Sequence, residues 1–238
     1  MAESEKEKEI RRLFEDFENL SEQGRTTEAL AVIDRASVDA AAAKRSDLVV
    51  EALNHKLHIF KHLYQKTGQE IYLVMMRSEA FSALALADKF QVSGAPKAAA
   101  LLRYADTFYM EGKYQESTAL YAQALEALPK TVSGAYAEFL SHYAISELKW
   151  RQNPEAFKKL SEALSLAEAD GALRPFHKLI ILSGIQARLA EASTILNNRA
   201  ESERYFTRAE ENALKLEREY GMPMRRIQLE NLKQQLNL

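Results

Sequence analysis

The sequence predicts an all-α protein built from about five antiparallel helix pairs, and three observations carry that reading. Apolar residues recur at spacings of three and four, the mark of helices with one buried face. Gly24, Gly68 and Gly112 stand at equal intervals of about 44 residues, each four residues after the last member of an apolar ladder. Only 8 Gly and 5 Pro occur in 238 residues, so breaks are few, and no alternating apolar segment is bounded by hairpin turns.

The third unit, residues 98–129, shows the pattern most clearly. Leu101, Tyr104, Ala105 and Phe108 fall on one helix face, and Gly112 supplies the positive φ of a helix C-terminus. Ser117, Tyr121 and Ala124 mark a second helix, with Pro129 as its stop. Earlier in the chain the same ladder reads Leu13, Phe17, Leu20 and then Leu57, Phe60, Tyr64. The second helix of the first unit reads Ala29, Ile33, Ala36. In the second unit the matching triad is Ala80, Leu84, Ala87, seven residues later than the first unit predicts, so a longer turn or a longer helix is expected there. The later units carry weaker punctuation. Leu140, Tyr143 and Ala144 open a fourth pair, Asn153-Pro154 turns the chain, and Ala156, Leu160 and Ala163 close it. Gly171 and Pro175 bracket a loop before a long helix, Asn197-Asn198 turns the chain again, and Ser202, Phe206 and Ala209 complete a fifth pair. After Gly221 and Pro223 a terminal helix with Ile227, Leu232 and Leu236 covers the last pair, Tyr205 and Phe206 included.

This order of large, small and aromatic positions resembles the tetratricopeptide repeat (TPR), in a long-period form of about 44 residues per unit. HEAT and armadillo arrays share the longer period, but the Tyr-Ala pair and the glycine-to-small turn favour the TPR-like reading. The resemblance implies a right-handed α-solenoid with a C-terminal capping helix. It is a single domain over 1–238, with units near 8–46, 47–94, 95–130, 131–171 and 172–221 and a terminal helix at 223–238, because each pair buries its faces only against neighbours.

Composition narrows the function. Lys and Arg number 32 against 34 Asp and Glu, a formal net charge of −2, and the cations alternate with acids at helical spacing. No basic track for nucleic acid results. The absence of Cys excludes a thiolate nucleophile and cysteine-ligated zinc. The charged N-terminal stretch lacks the apolar core of a secretory signal, and no apolar run approaches the length that spans a bilayer. A cytoplasmic protein without membrane contact is expected. No nucleophile elbow, phosphate loop or dinucleotide fingerprint is present, so neither a catalytic residue nor a cofactor is expected.

The candidate site residues follow from the resemblance, which places the first helix of each pair along a concave groove. His55, His58, His62 and Gln65 take the groove positions of the second unit. Ala99, Leu102, Asp106 and Tyr109, with Arg103 adjacent, take those of the third. Ser141, His142 and Ile145 come from the fourth unit, and Ala187, Arg188, Glu191 and Thr194 from the fifth. Tyr, Arg and His are apt anchors for a peptide. His55, His58 and His62 also share one face by spacing alone; His58 and His62, one turn apart, could share a divalent metal, but no recognisable motif completes a coordination sphere and solvated histidines are the simpler expectation. Phe14 and Glu18 stand where chaperone-tail adaptors carry Lys and Asn, so that specificity is not expected. The sequence thus points to a scaffold that binds another protein or a peptide. A ligand-responsive regulatory domain and a self-assembling component, such as a homodimer through the C-terminal helix, are the alternatives.

Overall fold

The structure, a computed structural model, describes residues 4–128 and 133–238. Among these residues there are eleven helices and no strand: α1 (Glu5–Glu22), α2 (Thr26–Ala42), α3 (Ser46–Thr67), α4 (Glu70–Lys89), α5 (Ala95–Met110), α6 (Tyr114–Ala127), α7 (Ser133–Arg151), α8 (Glu155–Ala169), α9 (Pro175–Ile195), α10 (Arg199–Tyr220) and α11 (Met224–Leu236). Pro129, expected to end α6, lies outside the described residues. Residue contacts group into two compact units that divide inside α5, between Thr107 and Phe108.

Why the glycines keep their interval is visible in the turns. Gly24, Gly68 and Gly112 all adopt positive φ, 75°, 66° and 75°. In the first and third turns the residue after the glycine donates its N–H back to the last ladder residue. Arg25 N reaches Leu20 O at 2.9 Å, and Lys113 N reaches Phe108 O at 2.9 Å. This is a Schellman closure, which satisfies carbonyls that the helix end would leave open. The fourth and fifth pairs turn with the same left-handed conformation, but on Gln152 and Asn197 (φ 51° and 57°). Asn198 N closes onto Ser193 O at 2.8 Å.

The second unit has a longer second helix and not a longer turn, and the seven-residue offset is only apparent. α4 follows Gly68 after a single residue and runs for 20 residues, against 17 for α2 and 14 for α6. Leu73 and Ala80, at the same distances from Gly68 as Ala29 and Ala36 from Gly24, are both buried. The register is therefore unbroken, and Ala87 belongs to the length added at the far end.

Unit one packs Ile10, Phe14 and Phe17 of α1 against Ala29, Ile33 and Ala36 of α2 and against Leu48, Ala52 and Ile59 of α3. Small residues on the second helices let the aromatic ladder come close, and all three alanines or isoleucines of α2 are at most 1% exposed. Unit two repeats the scheme: Ala156, Leu160 and Ala163 of α8, with Phe206 and Ala209 of α10, meet Leu140, Ala144, Leu189 and Ala190. A buried hydroxyl knot joins α6 to α7, with Ser146 Oγ 2.5 Å from Ser117 Oγ and 2.8 Å from Thr118 Oγ1. Within each unit the backbones of successive first helices approach one another, α1 to α3, α7 to α9 and α9 to α11, more closely than those of the second helices.

α11 covers the end of unit two. Met224 and Leu229 are buried, and Leu232 and Leu236 pack on the same core. Lys233 Nζ lies 5.4 Å from the Phe206 ring centre. Of the two aromatics expected beneath this helix, Phe206 is covered by it, whereas Tyr205 meets Phe157 of α8 at 6.3 Å. The apolar positions of α11 are thus occupied within its own unit. Four of the large exposed apolar side chains, Ile71, Val74, Met75 and Phe81, lie along one face of α4. No described helix is long and apolar enough to cross a membrane.

Candidate functional site

Polar and aromatic side chains gather where first helices adjoin. In unit one, His55 of α3 sits between Phe14 and Phe17 of α1, with ring centres 5.0 and 5.1 Å away. One turn on, His58 and His62 meet edge to face at 4.1 Å. His58 Nε2 lies 3.4 Å from Oε1 of Glu22, the last residue of α1. His62 and Glu22 are each 7% exposed. Between these histidines on α3, Lys61 Nζ reaches Asp106 Oδ2 at 2.7 Å, and Arg103 Nη1 reaches the same oxygen at 3.2 Å. Asp106 is 2% exposed, so this carboxylate is held by two cations inside the fold.

Unit two carries the larger cluster. Tyr109 Oη donates to Glu191 Oε2 at 3.3 Å, and Lys149 Nζ binds Glu191 Oε1 at 2.5 Å. Lys149 also lies over the rings of Tyr109 and Tyr114, at 4.7 and 5.2 Å, a cation–π arrangement strengthened by partial desolvation. Burial, and then the charge of Glu191, hold the Tyr109 phenol well above the ordinary tyrosine value. Burial works against the charge on Lys149, but Tyr109 and Glu191 together override it and raise the ammonium above the usual lysine range. Beside this group, Arg188 Nη2 meets His142 Nε2 and its Nη1 donates to Ser141 Oγ at 3.2 Å. The buried His142 ring stands 5.5 Å from Tyr121.

The structure therefore sorts the sequence candidates into four groups. His58 and His62 join Glu22. Arg103 and Asp106 join Lys61. Tyr109 and Glu191 join Lys149, and His142 joins Arg188. His55 belongs with the aromatic rings of α1. Leu102 and Ile145, which the resemblance put on groove positions, are core residues at 1% and 2% exposure. Sequence reasoning missed Glu22, Lys61 and Lys149. A lysine reads as solvated in a sequence because its stem and head are rarely buried together. Glu22 did leave a signal: a carboxylate at a helix C-terminus faces the negative end of the macrodipole.

The sequence matches no known family profile and no curated protein. The structure does match solved ones. A Podosopora anserina protein of kinesin-light-chain type, with nearly identical TPR-like repeats, is 18% identical with a TM-score of 0.53, over 88% of this chain and 97% of its own. A point variant of that protein gives 17% and 0.54 over the same shares. The chain has a TPR-like helical-repeat fold.

Proposed function

We propose that this TPR-like chain is a scaffold that binds another protein or a peptide through the side chains of its first helices. The observation that carries the reading is the Tyr109–Lys149–Glu191 group with Arg188 and His142 beside it. Its members are fixed by one another while Tyr109, Lys149, Arg188 and Glu191 keep part of their surface in water. Side chains already held in place lose little freedom when a partner arrives, which lowers the ordering penalty of association. Tyr and Arg are also the residue types that most often anchor interfaces. His55, His58, His62, Arg103 and Asp106 take the corresponding helix face in unit one, where Asp106 serves chiefly to hold its neighbours. A binding role, without catalysis, accounts for this arrangement most simply.

The test is a random peptide display selection on the tag-free chain. Enriched peptides are expected to lose at least tenfold in affinity for an Arg188→Gln, Tyr109→Phe variant whose melting temperature matches the parent. Peptides that bind parent and variant equally would move recognition away from this face and overturn the proposal.

A further inference from the structure

Three carboxylates are buried among the described residues: Glu22, Asp106 and Glu147, at 7%, 2% and 4% exposure. Two of them are neutralised by strong cations. Asp106 has Lys61 and Arg103, and Glu147 has Lys159 at 2.5 Å with the Tyr143 hydroxyl at 3.2 Å. Glu22 differs. Among the described residues no lysine or arginine forms an ion pair with it, and its partner is the His58 imidazole at 3.4 Å. It also ends α1, whose last turn contains no basic residue, so the helix dipole disfavours its charge. A buried anion in that position requires a cation.

The neighbours of Glu22 are the ligands a transition-metal ion uses. His58 and His62, four residues apart on α3, project from adjacent turns. Each of Glu22, His58 and His62 offers one ligand atom, and the three atoms lie within 4.8 Å of one another. A tetrahedral zinc ion with bonds of about 2.0–2.2 Å places its ligands about 3.3–3.6 Å apart. The Glu22–His58 edge already has that length, and the other edges close with shifts of at most about 1.5 Å, within the reach of side-chain rotation.

We infer that Glu22, His58 and His62 form a site for a divalent transition-metal ion, zinc in the first instance, that clasps the end of α1 to α3. Two imidazoles and one carboxylate select zinc, cobalt, nickel or copper over magnesium and calcium, which take oxygen ligands. Three protein ligands leave a fourth position for water, and His58 keeps a quarter of its side chain exposed (25%) as the point of entry. The ion would supply the positive charge that Glu22 lacks and add a polar tie between two helices that already share apolar packing and the ring contacts of His55.

The full, tag-free chain, stripped with a chelator, is titrated with zinc chloride by calorimetry, and with cobalt while visible absorption is followed. One equivalent of zinc per chain is expected, with the intense cobalt absorption of a four-coordinate site and a higher melting temperature in zinc. His58→Gln should weaken zinc at least tenfold. Because His58 is partly exposed, this variant is the one expected to fold unaltered, as its circular dichroism would report; Glu22→Gln and His62→Gln should act in the same direction. His55→Gln, on the same face but outside the cluster, should leave zinc affinity unchanged. Failure to bind zinc stoichiometrically would overturn the site. So would zinc binding that survives His58→Gln, or that a hundredfold excess of magnesium abolishes.

Discussion

In the first unit Asp106 lies beneath Lys61 and Arg103 with 2% of its surface exposed, whereas in the second Glu191 meets Lys149 and Tyr109 while 19% of its side chain stays in water. Both carboxylates tie first helices together, and both use a lysine. The difference is desolvation. A carboxylate closed off from water and held by two cations, as Asp106 is, has its partners dictated by the fold and nothing left for an outside group. One that remains partly open can trade a hydrogen bond with an incoming side chain at small loss. Closed ties of this kind read as architecture, and open ones as places where recognition is available.

The comparison breaks most visibly at Asp106. Replacing it with Ala removes the carboxylate that two cations share, each about 15% exposed or less, and breaking a buried pair in this way costs about 3–5 kcal/mol. Chemical denaturation should show that loss in the unfolding midpoint. A loss under about 1 kcal/mol would mean that Asp106 is not the keystone described. Glu191→Gln should cost less, about 1–2 kcal/mol, because a hydrogen bond to a charged group is weakened and not stranded. The ammonium of Lys149 also still has the faces of Tyr109 and Tyr114. Equal losses in the two variants would erase the distinction between the units.

Alkaline titration sharpens it further. The folded values of Tyr109 and Lys149 both lie above their ordinary ones. Their contribution is fully present below the unfolded values of about 10 and 10.4, and is lost as pH rises beyond them, since the unfolded chain releases protons that the folded chain retains. Stability should therefore fall between pH 9 and pH 11 more steeply for the parent than for Tyr109→Phe. Parallel pH profiles would show that the phenol is not coupled to folding.

How much of this was legible beforehand follows from range. The helix pairs announced themselves because a turn is a local event: a left-handed residue, a ladder carbonyl four positions earlier and the N–H after it all lie within six residues. The fourth and fifth turns were harder to read because Gln152 and Asn197 take the conformation that glycine takes in the first three, so the shape persists where its usual residue does not. The apparent seven-residue slip in α4 arose because Ala80 fits two registers of the same heptad-like pattern, and burial of Leu73 decides between them. At the candidate sites, the histidine row on α3 was readable from its spacing. Its third member, Glu22, comes from another helix 36 residues away in sequence, and Lys61 and Lys149 acquire their roles only from what packs over them. Tertiary proximity of this kind leaves almost no trace in a single sequence.

The turns themselves give the smallest effects, of opposite sign in the two units. Gly68 holds φ at +66° with no atom within 4 Å of an added Cβ, so Gly68→Ala meets no clash and feels only the left-handed backbone, about 1 kcal/mol of destabilisation. Gln152 already bears that strain in unit two, at φ 51°. Gln152→Gly relieves it but gives the unfolded chain more freedom, an opposing effect of about 0.4–1 kcal/mol. The net change should be a stabilisation of a few tenths of a kcal/mol, or none. Thermal melts of the two variants should shift in opposite directions or leave Gln152→Gly in place. A clear loss of stability in Gln152→Gly would mean that the glutamine side chain itself, and not the backbone geometry, sustains the fourth turn.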